Sequence, residues 1–196
     1  MIPDFSRKYT QANFIARRLI ANFYADINLL LKNLDIENAR ELACGPGFST
    51  EYLVKMRPDL LWSASDIEAE LVAQTKNRNP QVSVSQESIY RINSPDNNFD
   101  LVIALEVLEH LEKPTEALTE LKRVTKKYCL ISVPREPLWR MLNMSRGRYL
   151  SDWGNTPGHI NHWSINKFEK LVSPYFKIIA KKQPLPWTIL LLEKNP

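Results

Sequence analysis

The sequence has few cysteines, few glycines and no long apolar run. Its 196 residues include only two cysteines, Cys44 and Cys129, which are too few for a disulfide framework. Both lie in predicted strand regions, and because they are so few we expect a reduced, cytoplasmic protein. No apolar run reaches the length of about 18 residues that a membrane-spanning helix needs, and the opening segment MIPDFSRKYT has no apolar core of the secretory type. We therefore expect neither a membrane span nor a secretory signal.

The composition is that of a globular protein without a strong charge bias. Apolar residues make up 44% of the chain, which is enough for a hydrophobic core. Lys and Arg number 26 against 22 Asp and Glu, and the net charge of +4 is compatible with an anionic partner but does not require one. The length fits one α/β domain and no linker interrupts it, so we predict a single domain over residues 1–196.

Helical and strand patterns alternate along most of the chain. Apolar residues at helical spacing predict a first helix over residues 10–33. Further along, a helix is predicted over 114–126 and a strand over 128–134. The run FDLVIAL, residues 99–105, is the most continuous strand, as expected for a central parallel strand covered on both faces. The pattern of five strands with intervening helices and a closing β pair predicts an α/β, doubly wound sheet with right-handed crossovers.

The segment ELACGPGFST, residues 41–50, has the pattern of a turn from a buried strand into a helix. Gly45 and Gly47 remove side chains where the backbone must turn and approach a ligand, and doubly wound sheets bind ligands outside the carboxyl ends of their strands. A dinucleotide fingerprint would need a third glycine at position 50, which is Thr50. The turn alone leaves three ligands open: a nicotinamide dinucleotide, a nucleotide phosphate, or a ligand without phosphate.

Two acidic residues favour a ligand that has a ribose and a cationic end. Glu41 lies within the first strand, where a buried carboxylate is costly unless it is paired, so a nearby cationic ligand group would explain it. Asp66 ends the second strand, where a carboxylate can accept hydrogen bonds from both ribose hydroxyls. S-adenosylmethionine (SAM) has these features and needs no phosphate contacts.

These motifs resemble those of the small class I, Rossmann-like SAM-dependent methyltransferases, in the group that includes ubiquinone and menaquinone biosynthesis methyltransferases. ELACGPGFS is similar to the family's E/D-x-G-x-G-x-G turn, with Ala43 at the position of the first glycine. SDIEAELVAQTKNR resembles the second motif, and ESIYRINSPDNNFDLVIALEVLEHL resembles the third and fourth. The resemblance covers nearly the whole chain. It implies SAM as cofactor and a seven-stranded sheet in the order 3-2-1-4-5-7-6, with strand 7 antiparallel.

The resemblance also implies where the cofactor is held. Asp66 would bind the ribose and Ile67 would lie beside the adenine. Ser88 stands where the family often has an Asp for the adenine amino group, so that contact would rely on the backbone of Ile89. The first helix would flank the cofactor site. The implied cofactor-binding residues are Glu41, Ala43, Gly45, Gly47, Asp66, Ile67, Ser88, Ile89, Leu105 and Glu106, of which the last two border the methionine end.

A long polar and aromatic loop, residues 149–163, follows the fifth strand on the ligand side of the sheet. It carries His159 and His162, which either pack the loop or face the acceptor, and we predict one of them as the catalytic base if the reaction needs one. No third metal ligand is evident beside this His-x-x-His pair, so no metal site is expected. Three further residues are candidates for the acceptor pocket, although solvation or packing would also explain them: His110, Arg135 and Trp163.

The sequence therefore predicts an enzyme that transfers a methyl group from SAM to an oxygen, nitrogen or carbon nucleophile of a small-molecule acceptor. Three alternatives stay open. A nicotinamide-dependent oxidoreductase is disfavoured by Thr50 and by the closing β pair. A nucleic-acid methyltransferase is disfavoured because ALEV follows the fourth strand, where amino-directed enzymes of this fold usually carry Asn/Asp-Pro-Pro-aromatic, and no nucleic-acid partner is expected. A cofactor-binding protein without activity is the third.

Overall fold

The computed structural model describes residues 14–195, so residues 10–13 of the predicted first helix lie outside the described residues. The α-helices are α1 (Phe14–Leu31), α2 (Phe48–Met56), α3 (Ala69–Arg78), α4 (Pro114–Val124), α5 (Leu138–Ser145) and α6 (Ile165–Val172). The strands are β1 (Asn38–Leu42), β2 (Leu61–Asp66), β3 (Ser83–Gln86), β4 (Phe99–Leu105), β5 (Thr125–Pro134), β6 (Phe176–Lys182) and β7 (Trp187–Lys194). Short 3₁₀ helices at Leu108–His110 and Leu150–Asp152 follow β4 and α5.

The strands form one seven-stranded sheet in the order β3-β2-β1-β4-β5-β7-β6. Strand β1 pairs in parallel with β2 and with β4, and β4 pairs in parallel with β5. Strand β7 runs antiparallel to both β5 and β6. The predicted fold class, strand order and antiparallel strand 7 are confirmed.

Both faces of the sheet are covered by helices. Along β4, Leu101 and Ile103 pack into the core cluster that contains Ile27 of α1, whereas Val102 and Ala104 pack into the cluster on the other face. This alternation follows from the two-residue period of a strand, and it explains why β4 is apolar at every position except Asp100. No helix among residues 14–195 is both long enough and apolar enough to cross a membrane.

Helix α4 and strand β5 meet without an intervening loop. The helix ends at Val124 and the strand begins at Thr125, so the predicted bounds of 114–126 and 128–134 were wrong at this junction. Thr125 has extended backbone angles and pairs with Phe99 of β4. Its hydroxyl donates a hydrogen bond to the carbonyl of Leu121 at 2.7 Å. Thr125 therefore gives a backbone carbonyl in the last turn of the helix a hydrogen-bond donor, and it is also the first residue of the strand.

The parallel strands place their carboxyl ends at one edge of the sheet. Strand β1 leads into the glycine turn, β2 ends at Asp66, β4 ends at Leu105 and β5 ends at Pro134. Most of the residues that the sequence singled out lie at this edge or in the segments that follow it. The edge is where an open α/β sheet binds its ligand.

Candidate functional site

The turn after β1 contains three residues with left-handed backbone. The φ angle is 52° at Ala43, 56° at Gly45 and 79° at Gly47. Side chains disfavour this region, so glycine suits positions 45 and 47, and Ala43 adopts a conformation that its Cβ makes unfavourable. The N–H of Gly47 donates to the carbonyl of Cys44 at 3.2 Å, which closes the turn just before α2.

The two glycines of this turn serve different purposes. A Cβ atom at Gly45 would meet nothing within 4 Å, so this side of the turn is open to a ligand. A Cβ atom at Gly47 would lie 2.7 Å from Nδ2 of Asn79 and 2.9 Å from Cα of Thr75. The sequence predicted that both glycines make room for a ligand. The structure leaves that space at Gly45, whereas Gly47 allows α3 to pack against the turn.

Glu41 lies below the turn with its side chain buried. Only 2% of the residue is exposed, and the hydroxyl of Thr50 donates to its Oε2 at 2.5 Å. Burial raises the pKa of Glu41 to about 7, against the opposing effect of hydrogen bonds from Ser49 and Thr50. A cation placed against this carboxyl would favour its charged form. Position 50, which is glycine in a dinucleotide fingerprint, thus supplies a hydroxyl to Glu41 instead.

Asp66 joins the end of β2 to the glycine turn. Its Oδ2 accepts the N–H of Gly45 at 2.9 Å, and its Oδ1 accepts the N–H of Glu68 at 3.0 Å. A carboxylate has about four lone-pair sites, so two remain for ligand hydroxyls after these bonds. The neighbouring Ile67 is 60% exposed at the same edge. The predicted roles of Asp66 at the ribose and of Ile67 at the adenine stay predictions that this geometry permits.

Ser88 and Ile89 form a tight turn after β3. The Ser88 hydroxyl oxygen accepts the N–H of Tyr90 at 3.2 Å, and the Ser88 carbonyl accepts the N–H of Arg91 at 3.0 Å. Ile89 packs against the core cluster on the α4 side of the sheet. Ser88 is therefore already used in shaping the turn, and the predicted adenine contact of Ile89 stays a prediction.

A buried ion pair beside this turn was missed by sequence reasoning. The guanidinium of Arg40, in β1, contacts the carboxylate of Glu87, and both side chains are 8% exposed. The same guanidinium donates to the Ser85 hydroxyl at 2.6 Å, and Glu87 also accepts the N–H of Asn93 at 3.1 Å. The pair ties β1 to the segment that follows β3. An arginine directly before Glu41 in the short, buried first strand was the available signal.

Glu106 is held in a strained conformation where β4 ends. Its φ is 59°, and its N–H donates to both the carbonyl and the hydroxyl oxygen of Ser132 at 3.1 Å. The Ser132 hydroxyl in turn donates to Oε1 of Glu106 at 3.0 Å. Leu105, just before it, packs against the core cluster on the α1 side. Strained residues of this kind often mark ligand sites, and the predicted contact of both residues with the cofactor stays a prediction.

The two loop histidines lie in different surroundings. His159 is 8% exposed, and its ring packs edge-on against His110, with centroids 4.8 Å apart. His162 instead places Nε2 2.6 Å from Oδ1 of Asn155. Burial and the nearby charge of Arg140 lower the pKa of His162. The sequence treated His159 and His162 as interchangeable, but the structure groups His159 with His110.

Arg135 and Trp163 meet where β5 ends, through a parallel bridge between their backbones. Arg135 lines a cavity of about 300 Å³ formed by residues 135–138 and 164–166. Trp163 does not line it and packs its ring on Phe168, with centroids 5.9 Å apart. Of these two pocket candidates, the structure therefore places Arg135 at a cavity and Trp163 against the core.

Comparison with known proteins identifies the region that carries this site. Residues 40–132 match the family of methyltransferase domains. An uncharacterized methyltransferase of Schizosaccharomyces pombe is 36% identical over 97 residues, which cover 44% of this chain and 35% of that protein. A Mycobacterium tuberculosis protein with the name probable S-adenosylmethionine-dependent methyltransferase is 28% identical over 93 residues, 47% of this chain and 33% of that protein. The chain thus spans about a third of the length of these two relatives.

The fold occurs in solved structures that align over nearly the whole chain. Magnesium protoporphyrin IX methyltransferase from Synechocystis, with bound S-adenosylhomocysteine (SAH), superposes with a TM-score of 0.73 and 18% sequence identity. The match covers 96% of this chain and 92% of the Synechocystis protein. At this identity the likeness establishes the fold.

Proposed function

Because this chain belongs to the class I, Rossmann-like SAM-dependent methyltransferases, we propose that it transfers a methyl group from SAM to a small-molecule acceptor with an oxygen, nitrogen or carbon nucleophile. One arrangement carries the proposal. A buried carboxyl group, Glu41, lies under a turn that is open at Gly45, and a second carboxylate, Asp66, stands at the neighbouring strand end.

The chemistry of these residues fits SAM. The buried carboxyl of Glu41 favours a cationic partner, which the amino-acid end of SAM provides. Asp66 retains lone pairs for the ribose hydroxyls, and the exposed side chain of Ile67 offers an apolar surface to the adenine. When bound, SAM supplies an electrophilic methyl group on a sulfonium. No phosphate-binding set is required, which agrees with Thr50 in place of a third glycine.

The chain itself mainly has to align the acceptor with the methyl group and to exclude water. These two effects lower much of the activation barrier of such a displacement. A row of packed aromatic rings serves to exclude water. Trp187 packs against Phe23 of α1, with ring centroids 4.9 Å apart, and against Trp139 of α5, with centroids 6.1 Å apart. Trp139 in turn stacks on His159 at 5.8 Å. These rings lie between α1 and the loop that follows β5.

His162 is the proposed proton acceptor if the nucleophile must lose a proton. The oxygen of the Asn155 side chain accepts from Nε2, so Nδ1 of His162 keeps its lone pair. The lowered pKa of His162 keeps the ring neutral near pH 7, and a base needs that form. His162→Asn is expected to reduce turnover while leaving SAH affinity unchanged.

A small-molecule acceptor is supported by two observations. The end of β5 carries an open depression of about 300 Å³, which is room for a small acceptor. The Synechocystis neighbour is named for a small-molecule substrate, a magnesium porphyrin. The guanidinium of Arg135 at the cavity donates to Oε1 of Gln183 at 3.1 Å and adds positive charge there.

A methyl-transfer assay tests this proposal. The purified protein is incubated with methyl-labelled SAM and, in parallel, with a panel of small hydroxy, amino and carboxylic compounds, with RNA and with DNA. We expect label in at least one small compound and none in nucleic acid. Label in RNA or DNA alone would contradict the small-molecule acceptor, while leaving the use of SAM intact.

A further inference from the structure

We propose that Glu109, His110 and His159 form a binding site for one divalent transition-metal ion of the Zn²⁺ and Co²⁺ class. One ligand atom from each of the three side chains lies within 4.8 Å of the others. A tetrahedral ion with bonds of about 2.1 Å holds its ligand atoms about 3.4 Å apart. The three ligand atoms therefore have to approach one another by at most about 1.4 Å to reach this spacing.

The burial of Glu109 distinguishes this cluster from an ordinary surface group. Glu109 is 1% exposed and His159 is 8% exposed. A carboxylate in such a place needs partners, which in proteins are hydrogen bonds, opposite charges or a metal ion. A metal ion shared with two imidazoles is one such partner, and the three side chains are grouped closely enough to bind it. Two nitrogen ligands favour Zn²⁺, Co²⁺ and similar ions over Mg²⁺ and Ca²⁺, which prefer oxygen.

His110 is oriented by a contact of the kind that supports metal-binding histidines. Its Nδ1 lies 2.9 Å from the carbonyl oxygen of Gly158. A carbonyl only accepts, so Nδ1 carries the hydrogen and Nε2 keeps the lone pair that a metal needs. The loop thereby sets the tautomer of a histidine that lies 48 residues earlier in the sequence.

The loop is fastened to the 3₁₀ helix Leu108–His110 by its own backbone. The N–H groups of Ile160 and Asn161 both donate to the carbonyl of Glu109 at 3.0 Å. The side chain of Asn161 also donates to the carbonyl of Leu111 at 2.6 Å. His159 is therefore held beside Glu109 by bonds that do not involve the three ligand side chains. Such preorganisation is what a metal site needs from its scaffold.

An ion with these three protein ligands keeps a coordination position for a water or for an oxygen of the acceptor. The site follows directly after β4, at the sheet edge where the glycine turn lies. The idea that an acceptor oxygen occupies that position rests on the proposed function, whereas the metal site itself does not. The sequence considered His162 as the partner of His159 and expected no metal. In the structure the partner is His110.

Cobalt binding tests the site in the purified chain after treatment with a chelator. Co²⁺ is titrated while its visible absorption is recorded, and Zn²⁺ is then added as a competitor. We expect one Co²⁺ per chain, displaced by Zn²⁺ but not by the same concentration of Mg²⁺. Glu109→Gln and His159→Asn should each weaken binding more than about tenfold, since even supporting residues of metal sites cost 10- to 100-fold. His162→Asn is the matched control and should leave Co²⁺ binding unchanged.

Two further measurements keep the outcomes distinct. Thermal unfolding without metal shows whether each variant folds, and the exposed His110→Asn replaces Glu109→Gln if that buried variant does not. SAH affinity is measured in the same samples. Normal SAH binding without stoichiometric Co²⁺ binding, Co²⁺ binding that persists in the folded variants, or equal displacement by Mg²⁺ would overturn the metal site alone. Stoichiometric Co²⁺ binding without SAH binding would instead overturn the proposed function and leave the metal site standing.

Discussion

Replacing Glu41 by Gln should remove a pH dependence of stability that the buried carboxyl creates. The pKa of Glu41 is raised by burial from 4.5 to about 7. Between these two pH values the unfolded chain has lost the proton while the folded chain keeps it, so stability falls as pH rises. Each pH unit costs about 1.4 kcal/mol, and the full loss is therefore about 3 kcal/mol. It is complete above about pH 7 and absent below about pH 4.5.

The assay is urea unfolding of the wild type and of Glu41→Gln at several pH values from 4.5 to 8. The difference between the two free energies of unfolding cancels the groups that both proteins share. We expect this difference to change by about 3 kcal/mol in favour of the variant as pH rises, since Gln cannot ionise. Glu51→Gln is the control, because a hydrogen bond from Lys55 lowers the pKa of Glu51 and gives the opposite sign. Parallel pH profiles for wild type and Glu41→Gln would show that the folded chain does not raise the pKa of Glu41.

The same residue makes a prediction about cofactor binding. If the ammonium group of SAH lies against Glu41, binding lowers the pKa of that carboxyl towards its ordinary value. The affinity for SAH should then rise with pH as the pH passes from about 5 to about 7 in the wild type. In Glu41→Gln the affinity should be weaker and show no such rise. Calorimetric titration at pH 5.5 and pH 8 measures the SAH affinity of the wild type and of Glu41→Gln and shows whether only the wild type binds more tightly at the higher pH.

Three further predictions concern the residues around the turn. Asp66→Ala should weaken SAH binding by about 1.5–3 kcal/mol, the usual worth of hydrogen bonds to a charged group, and unchanged affinity by calorimetry would argue against its role at the ribose. Gly47→Ala should cost more thermal stability than Gly147→Ala, because both have left-handed backbone but only the Cβ at 47 meets α3, so equal losses would count against the clash. Arg40→Met should lower the free energy of unfolding by about 3–5 kcal/mol, because it leaves Glu87 buried without its partner. In urea unfolding, a double variant that also carries Glu87→Gln should recover part of that loss. Strictly additive losses would speak against coupling between the two residues.

The fold was predictable from the sequence in those segments where the pattern of apolar residues is typical of one kind of secondary structure. The run FDLVIAL is apolar at every position except Asp100, which is typical of a strand buried on both faces. The number of strands came from counting such runs, whereas their order came from the family resemblance. The α4–β5 junction was misplaced because Thr125 serves both elements, and a periodic pattern does not show where one element ends within a continuous segment.

The site was harder to predict because several of its contacts join distant parts of the chain. Glu41 and Asp66 were found because each lies at or next to the carboxyl end of a recognisable strand. The grouping of His159 with His110 depends on how a long loop docks on a 3₁₀ helix, and the spacing of the histidines contains no trace of it. The packing role of Gly47 likewise depends on α3, which lies some thirty residues later in the sequence and meets the turn only in the folded chain.

The most direct test of the account is a calorimetric titration of the purified chain with SAM, SAH and NAD⁺ under identical conditions. SAM and SAH are each expected to bind with one site per chain, and NAD⁺ is expected to give no binding heat. Saturable binding of NAD⁺ with no response to SAM or SAH would contradict this expectation, because the open turn at Gly45 and the carboxyl groups of Glu41 and Asp66 would then hold a different cofactor.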